Sequence, residues 1–259
     1  LLSSCYCAAL LSRASAHVPI PPYDCIAVFP KVPLQYLFIE ALDGTLEDYL
    51  NDPSYKDEVL KSCLFQVSFA LSMLQRRFNF THNDLHINNV MFSTTEKEYL
   101  YYKINNLYCK VPTYGKIFKI IDFGRAIFDF KGKTYMNDVF SRNGEAGGQY
   151  SYPHQVNFLR ETKESSHKPN PHFDLCRLSM TILEELPETS SQTMKDFLHS
   201  MCRNREGEDF SEMVDDFNLY IAIGQTANNS LPREIIIDPI FDEYRISKKR
   251  FPRKSYYSL

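Results

Sequence analysis

The chain has 259 residues, long enough for one large domain or two small ones. Its 44% apolar and 24% charged residues are those of a globular protein, and a net charge of -3 gives no general attraction to nucleic acid or membrane surfaces. No apolar run approaches the roughly 20 residues of a spanning helix, and seven scattered cysteines suggest reduced thiols rather than a disulfide framework.

In chain order, Leu1 to Ala16 favours a helix, with Leu1, Ala8 and Leu11 able to share one face. His17-Val18-Pro19 and the prolines at 21 and 22 end it. Asp24 to Phe29 and Leu34 to Ile39 read as two short apolar strands bounded by proline. Glu40 to Leu50 reads as strand end, turn and short helix. Asp57 to Arg77 predicts a long amphipathic helix, because Val59, Leu60, Cys63, Leu64, Val67, Leu71 and Leu74 recur at helical spacing. Tyr99 to Ile104 and Tyr108 to Val111 predict two strands around a turn at Asn105-Asn106. Lysines interleaved with aromatics there are compatible with base stacking, but a half-buried hairpin is the preferred reading. After Gly124 periodicity is weak until Phe173 to Met180, which opens an apolar helix, and two or three more helices follow Thr189. The basic run Lys248 to Lys254 reads as a solvated tail by default, a docking or localisation signal being the alternative.

Two stretches carry chemistry. His82-Asn83-Asp84-Leu85-His86-Ile87-Asn88-Asn89 precedes the strand-like Val90-Met91-Phe92, and Ile120-Ile121 runs into Asp122-Phe123-Gly124. Phosphoryl transfer needs a carboxylate to orient the attacking hydroxyl and accept its proton, and oxygen ligands to hold Mg2+ against phosphates. Asp84 suits the first role, and Asn89 and Asp122 the second. Neither His82 nor His86 has the neighbours of a metal-binding histidine.

This order of motifs resembles the catalytic and metal-binding loops of the eukaryotic-type protein kinases. The resemblance implies an α+β, bilobal fold: residues 1–42 as a partial N-lobe (helix plus two strands) with the hinge, and residues 43–259 as a mainly helical C-lobe. Within the latter it implies an inserted hairpin over 93–116, an activation segment over 122–154 and a basic tail over 245–259. ATP would lie against Ile39 and the backbone of Glu40 and Leu42, with Mg2+ on Asn89 and Asp122. Asp84 would be the catalytic base. His86 would either bind the γ-phosphate when protonated or order the loop, while His82, Phe123 and Gly124 support the site. Asp174 would bond the backbone of the catalytic loop. Gly147 to Pro153 resembles the platform for a protein substrate, accepting phosphate on Ser or Thr. Asp84-Leu85-His86 and the insertion resemble haspin-type kinases and kinases of large DNA viruses, which implies an intracellular protein, cytoplasmic or nuclear.

Departures from the pattern qualify this. Asn83 replaces the arginine that usually precedes the catalytic aspartate, which argues against activation by a phosphate switch. Tyr152-Pro153-His154 stands where the family has Ala-Pro-Glu. The first glycine, lysine and glutamate are Gly44, Lys31 and Glu40, so a glycine-rich loop, strand lysine and helix glutamate are expected to precede the chain, which reads as N-terminally truncated. Two other functions stay open: a small-molecule kinase of the aminoglycoside or choline type, which shares Asp-Leu-His, and a non-catalytic pseudokinase scaffold.

Overall fold

A computed structural model of the chain describes residues 12–20, 25–34, 38–140, 144–147, 149–150, 169–213 and 217–259. They fall into two compact units, Leu1–Leu42 and Asp43–Leu259. In the first, β1 (Ser12–Ile20) and β2 (Cys25–Leu34) pair antiparallel, with Ser12 opposite Leu34 and Ile20 opposite Cys25. The helix expected over Leu1 to Ala16 is therefore overturned for Ser12 to Ala16, and its earlier part lies outside the described residues. Helix preferences of Ser and Ala amount to only tenths of a kcal/mol per residue, too little to resist pairing with a β-rich partner. Nor is β2 cut at proline: Pro30 falls where the register shifts between Ala14 and Ala16, a bulge that tolerates a missing N–H. The second strand expected at Leu34 to Ile39 is absent at Phe38 and Ile39, which lack regular structure.

The second unit begins with the two-residue strand β3 (Gly44–Thr45) and the short helix α1 (Leu46–Leu50). Its backbone is the long helix α2 (Asp57–Phe78). Asp57 and Glu58 lie in its first turn and Arg76 and Arg77 in its last, each favourable to the helix dipole, and Asn79 closes it in a left-handed conformation at φ 49°. Within its apolar stripe Leu60, Leu64 and Phe65 are fully buried.

Strands β4 (Val90–Thr94), β5 (Tyr99–Ile104), β6 (Leu107–Pro112) and β7 (Lys116–Ile120) follow. They belong to two small sheets, ordered β3-β4-β7 and β10-β5-β6, where β10 is Tyr257–Ser258 at the far end of the chain. The β5–β6 turn is made by Asn105, at φ 50°, and Asn106. Buried polar groups of α2 tie both sheets to it: Ser62 Oγ donates to the Pro112 carbonyl at 2.6 Å, and the Phe118 N–H donates to Gln66 Oε1 at 3.0 Å. A further hairpin, β8 (Phe128–Phe130) with β9 (Lys133–Tyr135), turns on Lys131 and Gly132, both at positive φ.

The helices α3 (Phe173–Glu185), α4 (Gln192–Met201), α5 (Phe217–Thr226) and α6 (Pro232–Ile235) complete the unit. One core joins α2, α4 and one face of α3 to the sheets; a second lies between Phe173, Met180, Phe210, Leu219 and Ile223. Cys63, Cys109, Cys176 and Cys202 are buried free thiols. No helix of the described residues is long and apolar enough to cross a membrane.

Candidate active site

The antiparallel pair β4–β7 brings the two motif loops together. Val90 opens β4 and Ile120 ends β7, and they stand opposite each other, so Asn89 just before one and Ile121 just after the other leave the sheet side by side. Ile121, in the second motif, then clasps the first motif at both its ends through its backbone. Its N–H donates to the Asn89 carbonyl at 3.0 Å, and its carbonyl accepts from His82 Nε2 at 2.8 Å. His82 is fully buried, and its Nδ1 has no partner among the described residues, which assigns the ring proton to Nε2.

Asp174, in the first turn of α3 and wholly buried, holds the loop from behind. Its two carboxylate oxygens accept the N–H of His82 at 2.8 Å and of Asn83 at 3.0 Å. Burial pushes this carboxyl above the usual carboxylate range, against the downward pull of His82 and the two N–H donors. Asn83 is equally buried and sits at φ 65°, a region asparagine tolerates better than most residues. Its Nδ2 donates to the carbonyls of Thr81 at 3.2 Å and Arg125 at 3.0 Å, and its Oδ1 accepts from the Tyr150 hydroxyl. Asn83 is thus the knot between this loop and the segment after Asp122. Sequence reasoning saw in it only a missing arginine; the usable signal was an asparagine beside a turn.

Asp84 is partly exposed, with 24% of its side chain accessible, and lies 3.7 Å from Arg125 Nη1. Arg125 also reaches Glu145, at 3.8 Å. No sequence motif marked Arg125. The buried Asn89 side chain is oriented by its amide: Nδ2 donates to the Asp84 carbonyl at 2.8 Å and faces His86 Nε2 at 3.0 Å. With the nitrogen so committed, Oδ1 is the atom left to bind a ligand. His86 has a second donor, the Asn88 N–H, 3.3 Å from Nδ1. A neutral imidazole accepts at one nitrogen and a protonated one at neither, so the shorter contact, at Nε2, defines a neutral ring. Burial also lowers the His86 pKa, opposed by Asp84 and Asp122 and aided by Arg177 and His82. Of the two roles expected for His86, this geometry supports ordering the loop rather than presenting a positive charge.

Asp122 is exposed and adopts φ 57°, ψ 72°, an uncommon conformation for a residue other than glycine. Its Oδ1 accepts the Gly124 N–H at 3.2 Å. Phe123 packs its ring against His82 at 5.5 Å and Phe80 at 5.9 Å. A Cβ on Gly124 would stand 3.1 Å from Asp122 Oδ1, and the Gly124 carbonyl accepts from Asn137 Nδ2 at 3.1 Å. Among the described residues no three His, Cys, Asp or Glu side chains converge on a metal position. An amide oxygen and a carboxylate do, however, suit Mg2+, which keeps several water ligands and takes one or two protein carboxylates plus phosphate oxygens.

Ile39, Glu40 and Leu42 belong to the first unit, and Ile39 is 62% exposed. Of the substrate platform, Gly147, Gln149 and Tyr150 are described; Gly148, Ser151, Tyr152, Pro153 and His154 lie outside the described residues.

No protein-family model matches the chain. Its distant relatives are serine/threonine-protein kinases, the haspin homologue and kinases of large DNA viruses among them. It is 35% identical over 107 residues to a probable serine/threonine-protein kinase of Dictyostelium discoideum, covering 38% of this chain and 9% of that protein. To the serine/threonine-protein kinase haspin homologue of Drosophila melanogaster it is 25% identical over 141 residues, 53% of this chain and 25% of the relative. To a putative serine/threonine-protein kinase of Acanthamoeba polyphaga mimivirus it is 33% identical over 96 residues, 32% and 24% of the two chains. The matched stretches span a quarter or less of each relative's length.

Proposed function

We propose that the chain is part of a protein kinase that transfers the γ-phosphate of ATP to serine or threonine hydroxyls of a protein. The observation that carries this reading is the convergence of Asp84, Asn89 and Asp122 on loops joined through Ile121 and backed by Asp174. Asp84, exposed enough to meet an incoming hydroxyl, orients it and accepts its proton. Asn89 Oδ1 and Asp122 Oδ2 would hold Mg2+, which neutralises charge on the phosphates when bound. Ile39, Glu40 and Leu42 would face the adenine. His82, His86, Phe123, Gly124 and Asp174 keep the loops in place. Most of the catalysis is positioning and electrostatics, which is why so much of the motif is spent on holding three side chains.

The test is Mg2+-dependent transfer of labelled phosphate from ATP to a basic protein such as histone, in the full-length gene product. Asp84→Ala is expected to abolish transfer while leaving the thermal unfolding midpoint unchanged. Transfer that survives in Asp84→Ala overturns the assignment, and transfer to amino alcohols in preference to protein replaces the substrate class.

A further inference from the structure

The inserted hairpin and the basic run, far apart in sequence, form one surface. Alternation in β5 and β6 sends Leu100, Tyr102, Ile104, Cys109 and Val111 into the core, all 5% exposed or less. The opposite face carries Tyr99, Tyr101 and Lys103 on β5, with Lys110 paired to Tyr101 and Tyr108 paired to Lys103 on β6. The Lys110 ammonium sits 3.5 Å over the Tyr99 ring.

The last fifteen residues do not form the solvated tail that the sequence suggests. At their start, the Ile246 N–H donates to the Tyr108 carbonyl at 2.8 Å, against the edge of β6. In the middle, the Phe251 ring lies 4.9 Å from Tyr108 and 6.0 Å from Tyr101, with Tyr256 packed on it at 5.0 Å. At the end, β10 pairs parallel with β5, Tyr257 opposite Tyr102. Between these anchors Lys248, Lys249, Arg250, Arg253 and Lys254 are all exposed. No Asp or Glu occurs after Glu243, and none of the five cations has an ion pair among the described residues.

We propose that this face binds single-stranded nucleic acid, the cations following the phosphodiester backbone and tyrosines stacking on bases. Three anchors hold the cations in place before any partner arrives, so little ordering cost remains to be met on binding. The net charge of -3 excludes only a general field; here five cations are gathered within seven residues. The rings decide between polyanions. Tyr99 and Tyr256 remain 37% and 40% exposed beside the lysines, which suits base stacking and has no use in holding an acidic peptide. A peptide also finds little edge for strand addition, since β6 is flanked by Arg245 and Ile246, and β5 by the two-residue β10.

The experiment is fluorescence anisotropy of a labelled oligouridine or oligothymidine of about 16 nucleotides, titrated with the full chain without ATP or Mg2+. Its failure would leave the phosphoryl-transfer reading untouched. Parallel arms use a polyglutamate peptide of equal charge and phosphatidylserine vesicles. The triple variant Lys249→Gln, Arg250→Gln, Lys254→Gln alters only exposed side chains. It is expected to weaken oligonucleotide binding at least about tenfold and to reduce the slope of log affinity against log salt by about two, three phosphate contacts at roughly 0.7 each. Tyr256→Leu is expected to weaken binding about fivefold or more with the salt slope unchanged. Tighter binding of polyglutamate or vesicles than of the oligonucleotide overturns the proposal. So does a salt slope that the triple variant leaves in place, or an affinity that Tyr256→Leu does not change.

Discussion

The carboxylate of Asp174 accepts the N–H groups of His82 and Asn83, at 2.8 and 3.0 Å, so the head of α3 dictates the path of the loop that carries Asp84. Asp174→Asn retains one acceptor oxygen but turns an amide N–H toward a backbone N–H. The relief of a buried charge does not offset this, and the variant is expected to lose about 1–3 kcal/mol. Urea denaturation followed by tryptophan-free fluorescence of tyrosine, or by circular dichroism, measures the loss. Phosphoryl transfer should fall further than stability alone explains, because Asp84 loses its setting.

Asn83 gives a sharper contrast. Asn83→Ala loses three hydrogen bonds and keeps a strained φ of 65°, at an expected cost of about 2–4 kcal/mol. Asn83→Arg, which restores the residue usual in protein kinases, should be worse still. The site is fully buried, and the carboxylate nearest to it in the hydrogen-bond network, Asp174, is already engaged with the backbone. A denaturation midpoint for Asn83→Arg at or above that of Asn83→Ala would refute this account of the position.

Asn89→Asp separates holding the loop from holding the metal. The variant keeps an oxygen for Mg2+ but loses the Nδ2 donor to the Asp84 carbonyl and sets a carboxylate against it. Transfer is expected to drop about tenfold or more at saturating Mg2+, whereas loss of the metal ligand alone would be recovered by adding Mg2+. Complete rescue by Mg2+ would sink the orienting role of the amide.

His172 gives the fold a dependence on pH. Its Nδ1 accepts the Ser230 N–H at 3.1 Å, which requires a neutral ring, and burial lowers its pKa below the usual 6.5, helped by Arg233 and Arg205 and opposed by Glu234. The sign follows directly. Above 6.5 the ring is neutral whether folded or not; as pH falls through this value the unfolded chain takes up a proton that the fold refuses, and stability declines. The urea midpoint should therefore drop between about pH 7 and pH 5. His172→Asn, which keeps an acceptor, should show a shallower drop, and an equal drop in both proteins would assign the effect to another group such as His86.

The long helix α2 was legible because its apolar residues repeat at helical spacing over 22 residues, a signal no local preference could reverse. Asp84, Asn89 and Asp122 stood out by residue type and spacing along the chain, and Asp174 only through the family resemblance. The β1–β2 pairing was not legible: Ser12 to Ala16 has helical preferences, and only a partner strand, remote in any local window, turns it into sheet. Asn83 and Arg125 escaped for a different reason. Their importance lies in what they touch across the loops, and neither residue type is unusual where it stands. The same holds for the basic run, whose anchoring depends on Phe251 meeting Tyr108 across more than a hundred residues of chain.

Ile121, in the second motif, commits its N–H to Asn89 and its carbonyl to His82, the two ends of the first motif's loop. Neither loop can therefore open alone without leaving a polar group of the other unpaired. The two motifs open and close as one cooperative unit, and their amide protons should exchange with solvent at a common free energy. A half-assembled site, with one loop ordered and the other loose, should then give no exchange phase of its own.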